Sequence, residues 1–156
     1  MKKFIIIRLG SSSFAVALAN VREVLGLKEV AALPNMPTYF AGLINLRGKI
    51  VSVVDLKKSL KSVHLSVSEE RIKRSCIVMI EVSHQYYGAI VDDIVEVLSV
   101  DESQIEPAPD SLAGSSCFLG VLKVPQKPIA PILDLAAALR LDELLKISAS
   151  ASRQVA

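Results

Sequence analysis

The chain has 156 residues, 51% apolar and 22% charged, with a formal net charge of +2. Such a chain builds one domain or two small subdomains with a shared interface, and the composition excludes disorder. The apolar run after "MKK" stops at Arg8, short of the ~20 residues of a membrane span and of a signal peptide's apolar region, so a cytoplasmic protein without direct membrane insertion is expected.

The first predicted strand is "FIII", followed by the turn residues "GSSS". Phe14, Val16 and Leu18 then alternate with Ala15, Ala17 and Ala19, the period of a strand. "VREVL" follows, then the breaker "LPNMP" and the stretch "GLINLRGKIVSVVDL". Gly48 can take the positive φ that a tight hairpin needs, which puts Arg47 at an exposed tip. From Lys57 to Arg74 there are six Lys/Arg, two Glu and no aromatic residue, read as a polar connector with one helical turn near Ser68–Arg74. Strands resume at "CIVMI" and "YGAIVDDIVEVL", and "EPAPD" and "VPQKP" punctuate the rest. After "PIAPIL", Asp134 is placed to cap a closing helix with Leu135, Leu139 and the leucines of 141–145 on its apolar face. Residues 148–156, "SASASRQVA", read as a disordered tail.

These elements are written twice. An offset of 73 lays Phe14–Leu25 on Tyr87–Leu98, with Glu23 on Glu96 and Pro34 on Pro107. At an offset of 78, Gly42 meets Gly120, and at 79 Asp55-Leu56 meets Asp134-Leu135. Short strands repeated in two ~70-residue copies predict two similar small barrels, because closure hides sheet edges. Charge is uneven along the chain. Residues 1–75 hold 13 Lys/Arg against 5 Asp/Glu and residues 76–156 hold 5 against 11, which predicts head-to-tail pairing with a partner of complementary charge.

No catalytic motif is present, whether a nucleophile elbow, a phosphate loop, a dinucleotide fingerprint or a zinc-protease helix. Cys76, Cys117, His64 and His84 have no metal-site spacing, so neither metal nor cofactor is expected. Asp92-Asp93 and Asp101-Glu102 read as solvated acidic edges, and Asp55 and Asp134 as caps. Nucleic acid is disfavoured because the basic connector lacks the aromatic platforms that stack bases. Arg47 stands out. The second copy turns at "VPQKP" without an Arg-Gly, so the frame does not require the arginine, and a planar guanidinium fork suits recognition.

"VREVL", then "LPNMPTYFAGLINLRGKIVSVVDL", then "YYGAIVDDIVEVLSVDESQIEPAP" resemble the CheW family of chemotaxis coupling proteins, over about Phe4 to Leu145. The resemblance implies a mainly β fold: two pseudo-symmetric five-stranded SH3-like barrels plus a short C-terminal helix. It implies one domain over 1–147, with subdomains at about 14–60 and 76–133 and terminal strand and helix segments open to exchange between them. It implies a non-enzymatic adaptor coupling the cytoplasmic tips of methyl-accepting chemoreceptors to the regulatory domain of a CheA-type histidine kinase, at membrane-bound receptor arrays. The alternatives are a paralogous adaptor for pilus motility or another array, and, less favoured, a nucleic-acid-binding small barrel. Carried onto this chain, the partner-binding residues are Arg47, Gly48 and Glu23, with Asn45 and Lys49 beside them in the same turn.

Overall fold

A strand that is apolar on both faces needs cover on both faces. "FIII" and "CIVMI" are such strands, and each lies inside a sheet with a core on either side. The computed structural model describes residues 1–60, 75–109 and 117–140. Its strands are β1 (Lys2–Leu9), β2 (Ser12–Ala17), β3 (Val21–Gly26), β4 (Phe40–Leu46), β5 (Lys49–Asp55), β6 (Cys76–Val82), β7 (Gln85–Val91), β8 (Asp93–Val100), β9 (Ile105–Glu106), β10 (Phe118–Leu122) and β11 (Ala130–Leu133). Two short helices, α1 (Leu56–Leu60) and α2 (Leu135–Ala138), follow β5 and β11. Among the described residues, no helix is long and apolar enough to cross a membrane.

The strands form two barrels, one with sheet order β3-β6-β7-β5-β4 and the other β8-β1-β2-β11-β10, extended by the two-residue β9. In the first barrel the hairpin β6–β7 from the second copy sits between β3 and β5 of the first. In the second barrel the hairpin β1–β2 of the first copy sits between β8 and β11 of the second. Each copy thus lends its opening hairpin to the other's barrel, and the registers match strand for strand. Val53 and Val54 pair with Gly88 and Ala89, while their counterparts Ile132 and Leu133 pair with Ala15 and Val16. Even the irregularities repeat: a bulge between Val21 and Glu23 recurs between Ile94 and Glu96, and one between Phe40 and Gly42 recurs between Phe118 and Gly120.

Three cores result. The central one lies between the sheets, where Ile7, Phe14, Ile80, Tyr87, Val54 and Leu133 meet. Phe4, Ile6, Leu122 and Ile132 fill the second barrel, and Ile77, Met79, Val51 and Val53 fill the first. The alternation expected after Phe14 reflects this layering: Phe14 and Val16 face the central core, and the small Ala15 faces the narrow interior of the second barrel. The strand ends at Ala17, however, and Leu18–Asn20 form a single 3-10 turn that leads into β3.

Both expected aspartate caps are present. Asp134 accepts the Ala137 N–H at 3.4 Å, and Asp55 accepts the Lys57 N–H at 3.1 Å. Asp92 differs from expectation. It is buried, not a solvated edge: its carboxylate takes the Gly10 N–H at 2.6 Å and the Lys57 ammonium at 2.7 Å. Adjacent residues in a strand face opposite ways, so Asp93 stays partly exposed while Asp92 turns inward at the junction of β7 and β8. The α1 helix begins where the Asp55 cap was expected to open a turn or helix. Its Ser59 hydroxyl donates to the Ala138 carbonyl, and Arg140 donates back to the Ser59 carbonyl at 2.9 Å, joining the two helices. The rest of the connector, the leucines of 141–145 and the tail at 148–156 lie outside the described residues.

Candidate functional site

The hairpin β4–β5 closes with Leu46 opposite Lys49, leaving a two-residue turn. Arg47 has φ 51° and Gly48 φ 86°, the paired positive values of the hairpin turn whose twist suits the flanking strands. The Asn45 side chain accepts the Gly48 N–H at 3.1 Å and holds the turn from below. Arg47 therefore projects from a fixed tip, with 70% of its side chain exposed.

Its guanidinium reaches across to β3 and takes the Glu23 carboxylate as a fork, at 2.5 Å to one oxygen and 3.3 Å to the other. The bulge in β3 sets Glu23 in that position. The hydrogen bond from Arg47 holds the Glu23 carboxyl below the usual carboxylate range, and the same bond pushes Arg47 up. Lys49 lies with its ammonium 4.8 Å from the ring centre of Tyr86, a cation–π arrangement. Arg22 pairs with Glu81 at 2.7 Å on the same side. Together these groups rim a cleft of about 330 Å³ floored by Leu46, Val51 and Met79.

Of the five residues singled out from the sequence, Glu23, Arg47 and Lys49 line the cleft, while Asn45 and Gly48 shape the turn that presents Arg47. Arg22, Tyr86 and Met79 complete the cleft and were not singled out. Tyr86 was within reach of the pattern, because Tyr87 belongs to the central core and its neighbour in a strand faces the other way. The floor residues belong to the barrel core and are almost fully buried, so it is the charged rim and the Tyr86 ring that a protein segment can touch. Among the described residues, no group of three or more His, Cys, Asp and Glu is arranged to hold a metal ion.

The second copy carries a counterpart. Lys127, in the turn that replaces Arg-Gly, binds Glu96 at 2.6 Å where Arg47 binds Glu23. The frame therefore keeps a cation on this glutamate in both copies. What the first copy alone has is the guanidinium fork and the exposed Gly48 turn.

Residues 3–143 match the family model of the CheW-like domain. A chemotaxis protein CheW of Rhizobium meliloti (strain 1021) is 31% identical over 109 residues, covering 70% of this chain and 68% of that protein. A chemotaxis protein CheW of Klebsiella aerogenes is 29% identical over 109 residues, 70% of this chain but 63% of the relative's own length. Among solved structures, that of the scaffolding protein TtCheW from Thermoanaerobacter tengcongensis superposes with a TM-score of 0.76 at 32% identity, covering 85% of this chain and 88% of the other.

Proposed function

The chain belongs to the CheW-like family of scaffold proteins, and from that premise we propose that it couples chemoreceptors to a CheA-type histidine kinase as a non-enzymatic cytoplasmic adaptor. The observation that carries this reading is the face built around Arg47 and Glu23. The Tyr86 ring and the aliphatic stems of Arg47 and Lys49 supply contact area, and the ring of charges fixes orientation.

The pair itself suits exchange. An exposed ion pair is largely screened by solvent, so a partner that offers its own carboxylate to Arg47, or a cation to Glu23, displaces it at little expense. Until then each group keeps the other oriented, and less side-chain freedom is lost on docking. The kinase's regulatory domain and the receptor's cytoplasmic tip are the partners this reading names. Arg47, Gly48, Glu23, Asn45 and Lys49 form their shared face, with Tyr86 and Arg22 added to it.

The test is reconstitution with a CheA-type kinase and a receptor tip. Arg47→Ala is expected to lower kinase activation about tenfold or more while circular dichroism stays unchanged. Arg47→Lys, which keeps the charge and removes the fork, is expected to fall between the two. Undiminished activation in both variants would return Arg47 to a solvated hairpin tip.

A further inference from the structure

The hairpin β1–β2 is gripped on both faces and at its turn. Ile5, Ile7, Phe14 and Val16 face the central core, and Phe4, Ile6 and Ala15 face the interior of the second barrel. β1 pairs with β8 from Lys2 opposite Val100 to Arg8 opposite Asp93, and β2 pairs with β11 at Ala15 and Val16. Asp92 latches the turn: its carboxylate accepts the Gly10 N–H at 2.6 Å, and its N–H donates to the Arg8 carbonyl at 3.0 Å.

The link from this hairpin to β3 is slight by comparison. Leu18–Asn20 form one 3-10 turn with no buried residue and no side-chain cap, closed by the Val21 N–H donating to the Leu18 carbonyl. Short 3-10 turns serve as connectors of this kind. Ala17 and Val21, on either side, already hold extended dihedrals, φ −60° with ψ 125° and φ −95° with ψ 126°. Extending the three residues between them makes β2 and β3 one continuous run. That change breaks one hydrogen bond and uncovers part of Leu18. Nothing in the receiving strands distinguishes the hairpin of the same molecule from the hairpin of another, because a second molecule presents an identical β8, β11 and Asp92.

We propose that two molecules of this chain form a dimer by trading β1–β2, each hairpin completing the second barrel of the other. Every strand pairing and core contact of the hairpin is remade between the molecules, and only Leu18–Asn20 changes conformation. The balance between monomer and dimer is therefore set by the hinge and by concentration. Passage between them is slow, because a hairpin buried on both faces must leave two cores at once. A shorter hinge favours the dimer, since it cannot span from one barrel to the other within a molecule. The dimer carries two Arg47 faces and so engages two docking sites together, a consequence that alone rests on the adaptor reading.

The experiment refolds the full chain from urea at low and high concentration and reads mass by light scattering. The unaltered chain is expected to give a fraction at twice the monomer mass that grows with refolding concentration and persists on dilution. Deletion of Ala19 and Asn20 is expected to give the doubled mass throughout, and insertion of about six Gly/Ser residues after Ala19 the monomer throughout. A second measurement leaves the hinge unaltered. Lys3 and Ser99 are exposed and directly opposed across β1 and β8, within reach of a disulfide. Chains carrying Lys3→Cys and chains carrying Ser99→Cys, refolded together at high concentration, are expected to become joined at these two positions, as read by peptide mapping. The same chains mixed as folded monomers are expected to stay separate there. A folded monomer from the shortened hinge, or no such disulfide after joint refolding, overturns the proposal; if the shortened chain does not fold, the disulfide decides. Arg47→Ala removes the docking face and leaves the exchange intact, so failure of the adaptor reading and failure of the exchange are told apart.

Discussion

Arg47 holds a backbone conformation, φ 51°, that residues with a side chain adopt at a cost of order 1 kcal/mol. Asparagine tolerates it better and is the favoured residue at that turn position. Arg47→Asn is therefore expected to raise stability by up to about 1 kcal/mol in urea unfolding while abolishing the pair with Glu23. A gain in stability together with a loss of coupling would mark a residue kept for what it contacts. The pair also sets a pH response. The folded Glu23 carboxyl titrates below the usual carboxylate range, so its contribution is present above the unfolded value and is lost as pH falls through the lowered folded one. In Arg47→Ala, carbon-detected titration of Glu23 should show the midpoint moving up. Cys76 gives a third expectation at this scale: burial pushes its thiol up to about 11, and it should resist thiol reagents at pH 8 unless the protein unfolds. Arg47 and Glu23 were both legible in the sequence, but their meeting was not, because β3 and β5 are far apart in the sheet order and only the closing curve of the barrel brings their ends together.

Two glycines separate backbone strain from crowding at the level of the strand. Gly42 lies at the bulge of β4 with φ 145°, and a Cβ there would run into the Ala31 carbonyl and the Val30 side chain. Gly48 has φ 86° and open space around it. Gly42→Ala is expected to cost about 3 kcal/mol or more, from strain and overpacking together, and Gly48→Ala about 1 kcal/mol, as read from denaturant midpoints. Equal costs would refute the role of the close approach between β4 and residue 31. The strands themselves were legible because valine and isoleucine dominate them, and the repeat located their partners. The bulges were not, since each inserts one residue without a compositional mark, and because both copies carry them at matching positions they leave the alignment offset unchanged. The Asp55 cap was visible, but five-residue α1 is too short to show a helical period, so the sequence left turn and helix undecided there.

For the molecule as a whole, the exchange of hairpins redistributes what the linear sequence suggests. The excess of base in residues 1–75 and of acid beyond them does not become a basic barrel and an acidic one. Residues 18–60 and 75–91, which build the first barrel, carry six Lys/Arg and four Asp/Glu. Residues 1–17, 92–109 and 117–133, which build the second, carry five and six. Steering by opposed half-molecules is therefore weak, and association with a partner should depend only mildly on salt in stopped-flow measurements. The shared central core predicts cooperative unfolding. Ile7→Ala or Leu133→Ala, each removing a buried side chain from that layer, should cost about 2–5 kcal/mol and lower hydrogen-exchange protection in both barrels alike. Protection lost in one barrel alone would show that they unfold as separate units. Asp92 should behave similarly. Asp92→Ala strands Lys57 and the Gly10 N–H, costing up to about 3–5 kcal/mol.

Order of synthesis gives the lent hairpin a further meaning. All five strands of the first barrel lie between residues 21 and 91, so the ribosome delivers that barrel in one piece. β1 and β2 emerge before it yet belong beside β8 and β11, which end at residue 133. At roughly 5–20 residues per second, a hairpin apolar on both faces waits on the order of 10 s for its neighbours. Through that interval it is a sticky, unpaired sheet fragment that needs shelter from a nascent-chain chaperone or from the finished first barrel.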